Sequence, residues 1–179
     1  MSWFQKKAPE PSATPQKTGP ASRAPKGLKI GPLLSEAVIL FPPAGQDKNT
    51  VLQELCSAVC RQAGIPNWDA FLAKAQEREQ GISTTLDTGL SLPHARMDGI
   101  DGILAGMAVL KDPIPDPKQG DLSIRVVFLF FSPNKPEAFP LHLQLLRGVS
   151  SLFQPALIDQ LTSAAGPAAA LELVKKLEG

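Results

Sequence analysis

The sequence feature that most constrains the fold is an unbroken apolar run at residues 126–131, within the segment IRVVFLFF. Its Val and Phe content favours a β-strand, and the lack of polar alternation predicts a strand buried on both faces. The run is far shorter than the roughly 20 residues that a membrane-spanning helix requires. A second apolar segment, ILAGMAVL at 103–110, predicts a neighbouring strand. The Pro- and Asp-rich stretch at 111–121 predicts a loop between them.

Helical patterns lie on both sides of these strands in the sequence. Residues 47–64 begin with N-cap chemistry in Asp47-Lys48-Asn49-Thr50 and carry apolar residues at helical spacing, and Gly64 then Pro66 end the pattern. A second helix is predicted after Asn67 and before Gly81, and three more over residues 139–179. The succession of helices, strands and helices predicts an α/β fold with a small, mixed β-sheet flanked by helices.

Charge and composition divide the chain into two parts. Residues 1–29 carry a net charge of +5 and the remainder −4, which gives the overall +1. Residues 1–27 are rich in Pro, Ala, Ser and Lys and are predicted to form a disordered basic arm, because such a segment buries too little apolar surface to fold. The folded domain is predicted over 28–179. A solubilising or linking arm is favoured over one that binds nucleic acid or an acidic membrane, so no nucleic-acid partner is expected.

The sequence also predicts a cytoplasmic protein with no membrane insertion. Its N-terminus contains Trp3 and Phe4 but lacks the apolar core of a signal peptide. The two cysteines, Cys56 and Cys60, do not suggest a disulfide scaffold. Their i, i+4 spacing could bring two zinc ligands together, but the usual structural spacings are absent, and Cys56 lies on the apolar stripe of a predicted helix. No metal and no cofactor are therefore expected.

The chemistry of the chain centres on its two histidines. His94 follows a proline in GLSLPHAR, and His142 lies in PLHLQLL, on the apolar side of a predicted helix. A neutral imidazole is a nucleophile that can hold a transferred group. From spacing alone, however, a loop histidine and a half-buried helix histidine are more often structural. Arg78 is a candidate to grip a phosphoryl group with its planar guanidinium.

Further candidate groups could support an anion near His94. Arg96 is a second possible phosphoryl ligand, and the hydroxyl groups of Thr84, Thr85 and Ser91 could donate hydrogen bonds. The motifs GxGxxG, GxSxG and HExxH and the Walker loop are absent from the sequence. Their absence argues against a nucleotide hydrolase or a hydrolase of common type, although a Ser/His/Asp constellation assembled in space stays open.

Read together, REQGISTTLDTGLSLPHAR resembles the signature of the type 2 enzyme IIA domains of the bacterial phosphotransferase system. This is the fructose–mannitol family, which also contains the nitrogen-regulatory enzyme IIA. The shared elements are an Arg-Glu pair (78–79), a Thr-containing turn (83–85), Gly89 and Pro-His-Ala-Arg (93–96). The segments 103–116 and 121–153 also resemble the family's following strands and histidine-bearing helix, so the resemblance covers about residues 28–178.

One turn departs from the family pattern. The family commonly has Ser-Thr-Gly-Ile-Gly, whereas this chain has Ser83-Thr84-Thr85-Leu86-Asp87. Thr85 and Asp87 thus replace small, flexible positions. An inward-facing Asp87 would place negative charge near a phosphoryl group and would affect the rate of transfer or the choice of partner.

The resemblance implies a phosphoryl relay centred on His94. It would accept a phosphoryl group from the phosphocarrier protein HPr, or a paralogue, and pass it to an enzyme IIB, whose acceptor in this family is typically a cysteine thiolate. His142 would hydrogen-bond the phosphoryl group or orient His94, and Arg78 would stabilise its charge. Because two partners must dock in turn, a shallow apolar rim is expected, and its candidate residues are Leu90, Leu92 and Met97.

Three functions agree with these observations. The first is sugar uptake of the fructose or mannitol class, in which the domain supplies an enzyme IIB. The second is nitrogen-type regulation, in which the phosphorylation state of the domain controls its binding to other proteins. The third is an interaction module that keeps the fold without phosphorylation, and the joint presence of His94, His142 and Arg78 argues against it.

Overall fold

A computed structural model describes residues 28–179 of the chain. The strands are Ile39–Leu40 (β1), Leu90–Ser91 (β2), His94–Met97 (β3), Leu104–Pro115 (β4) and Ser123–Pro133 (β5). The helices are Lys48–Gln62 (α1), Trp68–Gln80 (α2), Phe139–Leu152 (α3), Pro155–Thr162 (α4) and Pro167–Glu178 (α5). Short 3-10 helices lie at Gly31–Leu33, Glu36–Val38 and Pro136–Ala138. The arm predicted over 1–27 lies outside the described residues.

The strands form one mixed sheet in the order β1-β4-β5-β2, and β3 also pairs with β5. β4 and β5 form a long antiparallel pair, whereas β1 is parallel to β4, and β2 and β3 are parallel to β5. The apolar run at 126–131 lies in β5 between these neighbours, and all of its side chains are fully buried. The prediction of a buried central strand is confirmed.

Helices cover both faces of the sheet. Side chains of β5 alternate between the two faces, so Phe131 packs edge-on against Phe71 of α2, with ring centroids 5.0 Å apart. Phe128 points to the other face and packs against Phe153, which follows α3, at 5.4 Å. The predicted α/β fold with a small mixed sheet flanked by helices is therefore confirmed.

The strand pieces β2 and β3 lie along the same edge of β5 and are separated by Leu92 and Pro93. Leu90 is in register with Val126, and His94 with Phe130. Because proline has no N–H to donate, the ladder is interrupted there, although the Pro93 carbonyl still accepts a hydrogen bond from the Phe130 N–H at 3.3 Å. His94, which the sequence indicated as a loop histidine, is thus the first residue of a second short strand.

Local signals placed the helices well. The Asp47 side chain accepts a hydrogen bond from the Thr50 N–H at 2.7 Å and caps α1, within the segment predicted to supply the cap. Helix α2 spans the predicted residues, but the Asn67 side chain makes no capping hydrogen bond. Proline stands in the first turn of α4 and of α5, where its missing N–H needs no partner.

The loop predicted over residues 111–121 is wrong in its first half. β4 continues to Pro115, and Ile114 pairs with Ile124 of β5 after an irregularity in register that follows Val109. Prolines are tolerated there because β1 pairs only as far as Ala108, so the other edge of β4 beyond that point needs no ladder donors from Pro113 or Pro115.

The two ends of the described domain are tied together. The Glu178 carboxylate at the end of α5 accepts hydrogen bonds from the backbone N–H groups of Ile30 and, at 2.7 Å, of Gly31. Helix α5 also contacts β1, at the edge of the sheet opposite to β2 and β3. None of the helices in residues 28–179 combines the length and apolarity needed to traverse a bilayer.

Candidate functional site

His94 begins β3 and is held on two sides. Its ring stacks on that of Phe130, with centroids 5.4 Å apart and an interplanar angle of 11°. Its Nδ1 lies 2.8 Å from the Leu92 carbonyl oxygen. A carbonyl only accepts, so Nδ1 carries the hydrogen and donates it. Nε2 therefore keeps an unprotonated lone pair. It has no hydrogen-bond partner within residues 28–179 and is not sealed from solvent.

The surroundings keep the His94 ring uncharged at neutral pH. Burial lowers the pKa of His94, and the nearby positive charge of Arg78 lowers it further, whereas the Leu92 carbonyl and the negative charge of Glu79 act in the opposite direction. The net effect is a pKa below the ordinary value of 6.5. A neutral ring with a free Nε2 lone pair is the nucleophilic form of histidine.

His142 packs against the same site from α3. Its ring centroid lies 5.4 Å from that of His94 and 5.3 Å from that of Phe130. Its Nδ1 lies 2.7 Å from the hydroxyl of Ser132, which is fully buried. Burial lowers the pKa of His142 to about 4, and the neighbouring His94, Arg96 and Arg78 contribute in the same direction. Both imidazoles are therefore neutral in the folded protein at neutral pH.

Two arginines supply positive charge at the site. Arg96 lies over the Phe139 ring at 5.2 Å and donates to the Lys135 carbonyl at 2.7 Å. Arg78, in the last turn of α2, donates to the Ile82 carbonyl at 3.2 Å and is exposed. Its charge reaches both histidines, since it lowers the pKa of each. The structure thus brings His94, His142, Arg78 and Arg96 together, around a position that suits an anion.

The predicted hydroxyl donors belong to a different, internal cluster. The Thr85 hydroxyl lies 2.6 Å from the Asp116 carboxylate and 3.2 Å from the Ser91 hydroxyl. Thr84 donates to the Glu79 carboxylate. Thr85 and Ser91 are buried. These three hydroxyl groups have internal partners, and the structure does not present them to the histidine rings as open donors.

The centre of this cluster is a buried ion pair, which the sequence did not reveal. The Lys48 ammonium lies 2.6 Å from the Glu79 carboxylate and 3.1 Å from that of Asp116. Asp116 also accepts from the Ser83 hydroxyl at 2.9 Å. Burial alone would raise the pKa of Asp116, but the hydrogen bonds from Thr85, the Lys118 N–H, Lys48 and Ser83 hold it well below its ordinary value. The cluster fixes the turn between α2 and β2. Asp87 lies in the same turn, but its side chain is exposed.

The predicted docking rim is wrong. Leu90 is fully buried, and Leu92 and Met97 are 4% and 8% exposed, because β2 and β3 pair with the central strand and their apolar side chains enter the core. These side chains therefore expose too little apolar area to form a docking rim. Exposed apolar side chains beside the site residues are instead Ile82, next to Arg78, and Phe139 and Leu143, on the helix that carries His142. Ile82 follows α2 beside Arg78, and Phe139 stacks on His142 with centroids 6.3 Å apart.

Several site residues were not identified from the sequence. Phe130 and Ser132 alternate along β5 and share one face, so their spacing was a usable signal once the strand was placed. Phe139 lies three residues before His142 on α3, and this helical spacing was likewise a usable signal for their contact. Lys48 and Asp116 are far apart in sequence and gave no local signal. Within residues 28–179, His, Cys, Asp and Glu side chains do not gather in groups of three or more that could hold a metal ion.

Comparison with known proteins shows which family the chain belongs to. A family model described as "Phosphoenolpyruvate-dependent sugar phosphotransferase system, EIIA 2" matches residues 32–177. The chain belongs to this family. The resemblance stated from the Arg-Glu and Pro-His-Ala-Arg motifs is thereby confirmed, and the protein is a phosphotransfer component of the enzyme IIA type.

Two nitrogen regulatory proteins are similar to this chain. A nitrogen regulatory protein of Pseudomonas aeruginosa is 25% identical over 150 residues, which is 82% of this chain and 95% of that protein. The crystal structure of nitrogen regulatory protein IIA-Ntr from Neisseria meningitidis matches with a TM-score of 0.70 at 20% identity, over 81% of this chain and 98% of that one.

A mannitol-type structure is similar in fold. The structure of enzyme IIAMTL in complex with phosphorylated enzyme IIBMTL from Escherichia coli matches with a TM-score of 0.67 at 14% identity. The match covers 80% of this chain and 97% of that one. At such identities the solved structures establish the shared enzyme IIA fold.

Proposed function

We propose that this enzyme IIA domain is a phosphoryl carrier that accepts its phosphoryl group on Nε2 of His94. The observation that carries the proposal is the hydrogen bond from His94 Nδ1 to the Leu92 carbonyl, at 2.8 Å. It fixes the tautomer that leaves the lone pair on Nε2, with His142 5.4 Å away between ring centroids and the charge of Arg78 near both rings. Membership of the family supports the same role.

The chemistry of loading needs no proton removal from the attacking nitrogen. The Nε2 lone pair attacks the phosphorus of a phosphohistidine on the donor, HPr or a paralogue. As the new N–P bond forms, the donor's N–P bond breaks and its electron pair stays on the donor nitrogen. The His94 ring gains positive charge, which the Leu92 carbonyl stabilises through Nδ1–H. Arg78 and Arg96 offset the negative charge of the phosphoryl oxygens, so positioning and electrostatics supply the catalysis.

Transfer of the phosphoryl group from His94 to the acceptor is the reverse of loading, and it involves a different partner protein. An acceptor nucleophile, the cysteine thiolate of an enzyme IIB in the sugar-uptake role, attacks phosphorus and the electron pair of the P–N bond returns to His94 Nε2. The E. coli neighbour in complex with phosphorylated enzyme IIBMTL supports an acceptor of this kind. Exposed Ile82, Phe139 and Leu143 provide apolar surface on which donor and acceptor would dock in turn.

Nitrogen-type regulation is the second candidate. In this role the same phosphorylation of His94 would switch the binding of a regulated protein instead of feeding an enzyme IIB. The similarity to nitrogen regulatory proteins of P. aeruginosa and N. meningitidis favours it. The two roles share the site and differ in donor and acceptor.

The test is phosphotransfer followed by intact mass. The full chain is incubated with enzyme I, phosphoenolpyruvate and either HPr or a nitrogen-branch paralogue of HPr, beside a His94→Gln variant. The expected result is a gain of one acid-labile phosphate in the native protein and none in the variant. Equal phosphorylation of the two proteins would exclude His94 as the acceptor.

Donor and acceptor preference then separates the two roles. Loading by HPr and discharge to a fructose- or mannitol-type enzyme IIB would support sugar uptake. Loading by the paralogue without discharge to either enzyme IIB would support regulation. If neither donor loads the protein while both are themselves phosphorylated, the relay role fails and the interaction module takes its place.

A further inference from the structure

The Ser132 hydroxyl has a single hydrogen-bond partner within the described residues, and that partner is His142. Ser132 follows the apolar run of β5 and is fully buried. Its Oγ lies 2.7 Å from His142 Nδ1. No backbone carbonyl within residues 28–179 accepts from this hydroxyl, whereas Ser150 and Ser163, for comparison, each donate to a carbonyl of their own helix. The Ser132 hydrogen therefore has one available acceptor.

This geometry decides between the two neutral forms of His142. If Nδ1 carried the ring hydrogen, it would donate to Ser132 Oγ, and the serine hydrogen would be left buried without an acceptor, which is unfavourable. If Nε2 carries the ring hydrogen, Ser132 donates to the Nδ1 lone pair and both groups are satisfied. The second arrangement leaves an Nε2–H on His142 that has no protein partner within residues 28–179 and is not sealed from solvent.

The two histidines are thus held in complementary forms. His94 has its hydrogen on Nδ1, fixed by the Leu92 carbonyl, and a lone pair on Nε2. In the favoured arrangement His142, whose ring centroid is 5.4 Å away, has the lone pair on Nδ1 and a hydrogen on Nε2. One ring can attack phosphorus, and the other can donate a hydrogen bond to a phosphoryl oxygen.

We propose that Ser132 is a positioning residue that fixes His142 in its Nε2–H form, so that this group donates to the phosphoryl group carried by His94. The proposal rests on the proposed function for its consequence, but the ring form itself is measurable without any phosphotransfer. The placement of Ser132 follows from the strand: Phe130 and Ser132 share one face of β5, under His94 and His142 respectively.

The first experiment is NMR of the ring nitrogens. The chain has two histidines, so the His94→Gln variant of the full chain leaves the His142 ring as the sole imidazole, and its long-range 15N–1H correlations at pH 7.5 need no further assignment. The expected result is a protonated Nε2 and an unprotonated, hydrogen-bonded Nδ1. Adding Ser132→Ala should give a mixture of the two forms, and Ser132→Thr should restore the first. A His142 ring protonated on Nδ1 while Ser132 is present would overturn the proposal.

The second experiment separates positioning from packing by a double-mutant cycle. The rate of phosphate uptake from the loaded carrier is measured for the native protein, Ser132→Ala, His142→Gln and the double variant, with folding checked by thermal unfolding. Ser132→Ala should slow uptake about tenfold, in line with the loss of a hydrogen bond to a charged group, and Ser132→Thr should recover most of it. In the His142→Gln background Ser132→Ala should have no further effect.

An equal loss in both backgrounds would mean that Ser132 does not act through His142, and the proposal would fail. If the native protein takes up no phosphate from any carrier, the proposed function fails, while the NMR result still decides which form Ser132 imposes on His142. Should Ser132→Ala not fold, Ser132→Cys serves in its place, because a thiol is a weak donor of similar size.

Discussion

The two imidazoles of the site are neutral at neutral pH because burial and the charge of Arg78 lower the pKa of each, and His94 and Arg96 lower that of His142 further. The folded-state pKa of His142 is about 4, below the ordinary value of 6.5 that it takes in an unfolded chain, and that of His94 is also lowered. Between these pH values the unfolded chain binds protons that the folded domain does not. The stability of the domain is therefore linked to pH through the same residues that are proposed to carry out the transfer.

We expect the free energy of unfolding to decrease as the pH falls from 6.5 to about 4. The contribution of neutral His142 is complete above pH 6.5 and is lost through this window, with a loss of about 2 to 3 kcal/mol. Urea unfolding at half-unit pH steps measures it, and His142→Gln should remove most of the slope. A native protein whose stability is constant across this window would contradict the burial of His142.

The residues that form the site could largely be predicted from the sequence, but the burial of each side chain could not. The resemblance placed His94, His142, Arg78 and Arg96, and the structure brings these four together. Leu90, Leu92 and Met97 were expected at a rim, yet they lie in the core. A motif indicates which residues are near one another along the chain, whereas exposure depends on what the strand pairs with, and β2 and β3 pair with the most buried strand of the sheet.

At the scale of elements, one buried polar cluster joins the parts that carry the site. Lys48 comes from the start of α1, Glu79 from the end of α2, Thr85 from the turn before β2, and Asp116 from the turn after β4. Lys118 adds a hydrogen bond to the Gly81 carbonyl at 2.9 Å. Arg78 precedes Glu79 on α2, so this cluster determines where the arginine of the site lies.

Asp116→Asn should be strongly destabilising, by about 3 kcal/mol, because it removes one charge of a buried ion pair and leaves Lys48 less well compensated. Asp121→Asn, an exposed change in the same turn, is the matched control and should change stability by less than about 0.5 kcal/mol. Chemical denaturation of both variants at pH 7.5 measures the difference. Similar stabilities for the two variants would show that the cluster does not hold these elements together.

The helices could be predicted from the sequence more completely than the strands. All five helices could be predicted, because caps, prolines and apolar periodicity are local signals. The extension of β4 through Pro113 and Pro115 could not, because it depends on the absence of a β1 partner beyond Ala108. The strand beginning at His94 was missed for a related reason: four residues of β3 become a strand through pairing with β5, which is distant in sequence.

At the scale of the whole molecule, large exposed apolar side chains are few among residues 28–179, and three of them lie beside site residues. Ile82 is 81% exposed, Leu143 is 48% exposed, and Phe139 lies between Arg96 and His142. Leu177 on α5 is similarly exposed, at 51%, and belongs to the helix that contacts β1 at the other edge of the sheet. The chain thus contains both a candidate docking surface and a control for it.

We expect the double substitution Ile82→Ser and Leu143→Ser to lower kcat/KM for phosphate uptake about tenfold, chiefly through KM, because it removes apolar area that a donor would bury. Leu177→Ser should leave uptake unchanged. Steady-state uptake at varied concentrations of the loaded carrier measures both. An equal effect of the two changes would show that the surface beside His142 has no special part in docking.

The bond between Glu178 and the backbone of Ile30 and Gly31 has a consequence for how the domain can be joined to other chains. Because the first and last described segments meet beside β1, the two ends of the described polypeptide lie close together. A partner fused before residue 28 or after residue 179 would be attached at nearly the same place, across the sheet from His94. Either fusion order would attach the partner at the β1 edge of the sheet, which is opposite to the edge that carries His94. Linking these ends while opening the chain at an exposed turn should give a permuted domain with the same site.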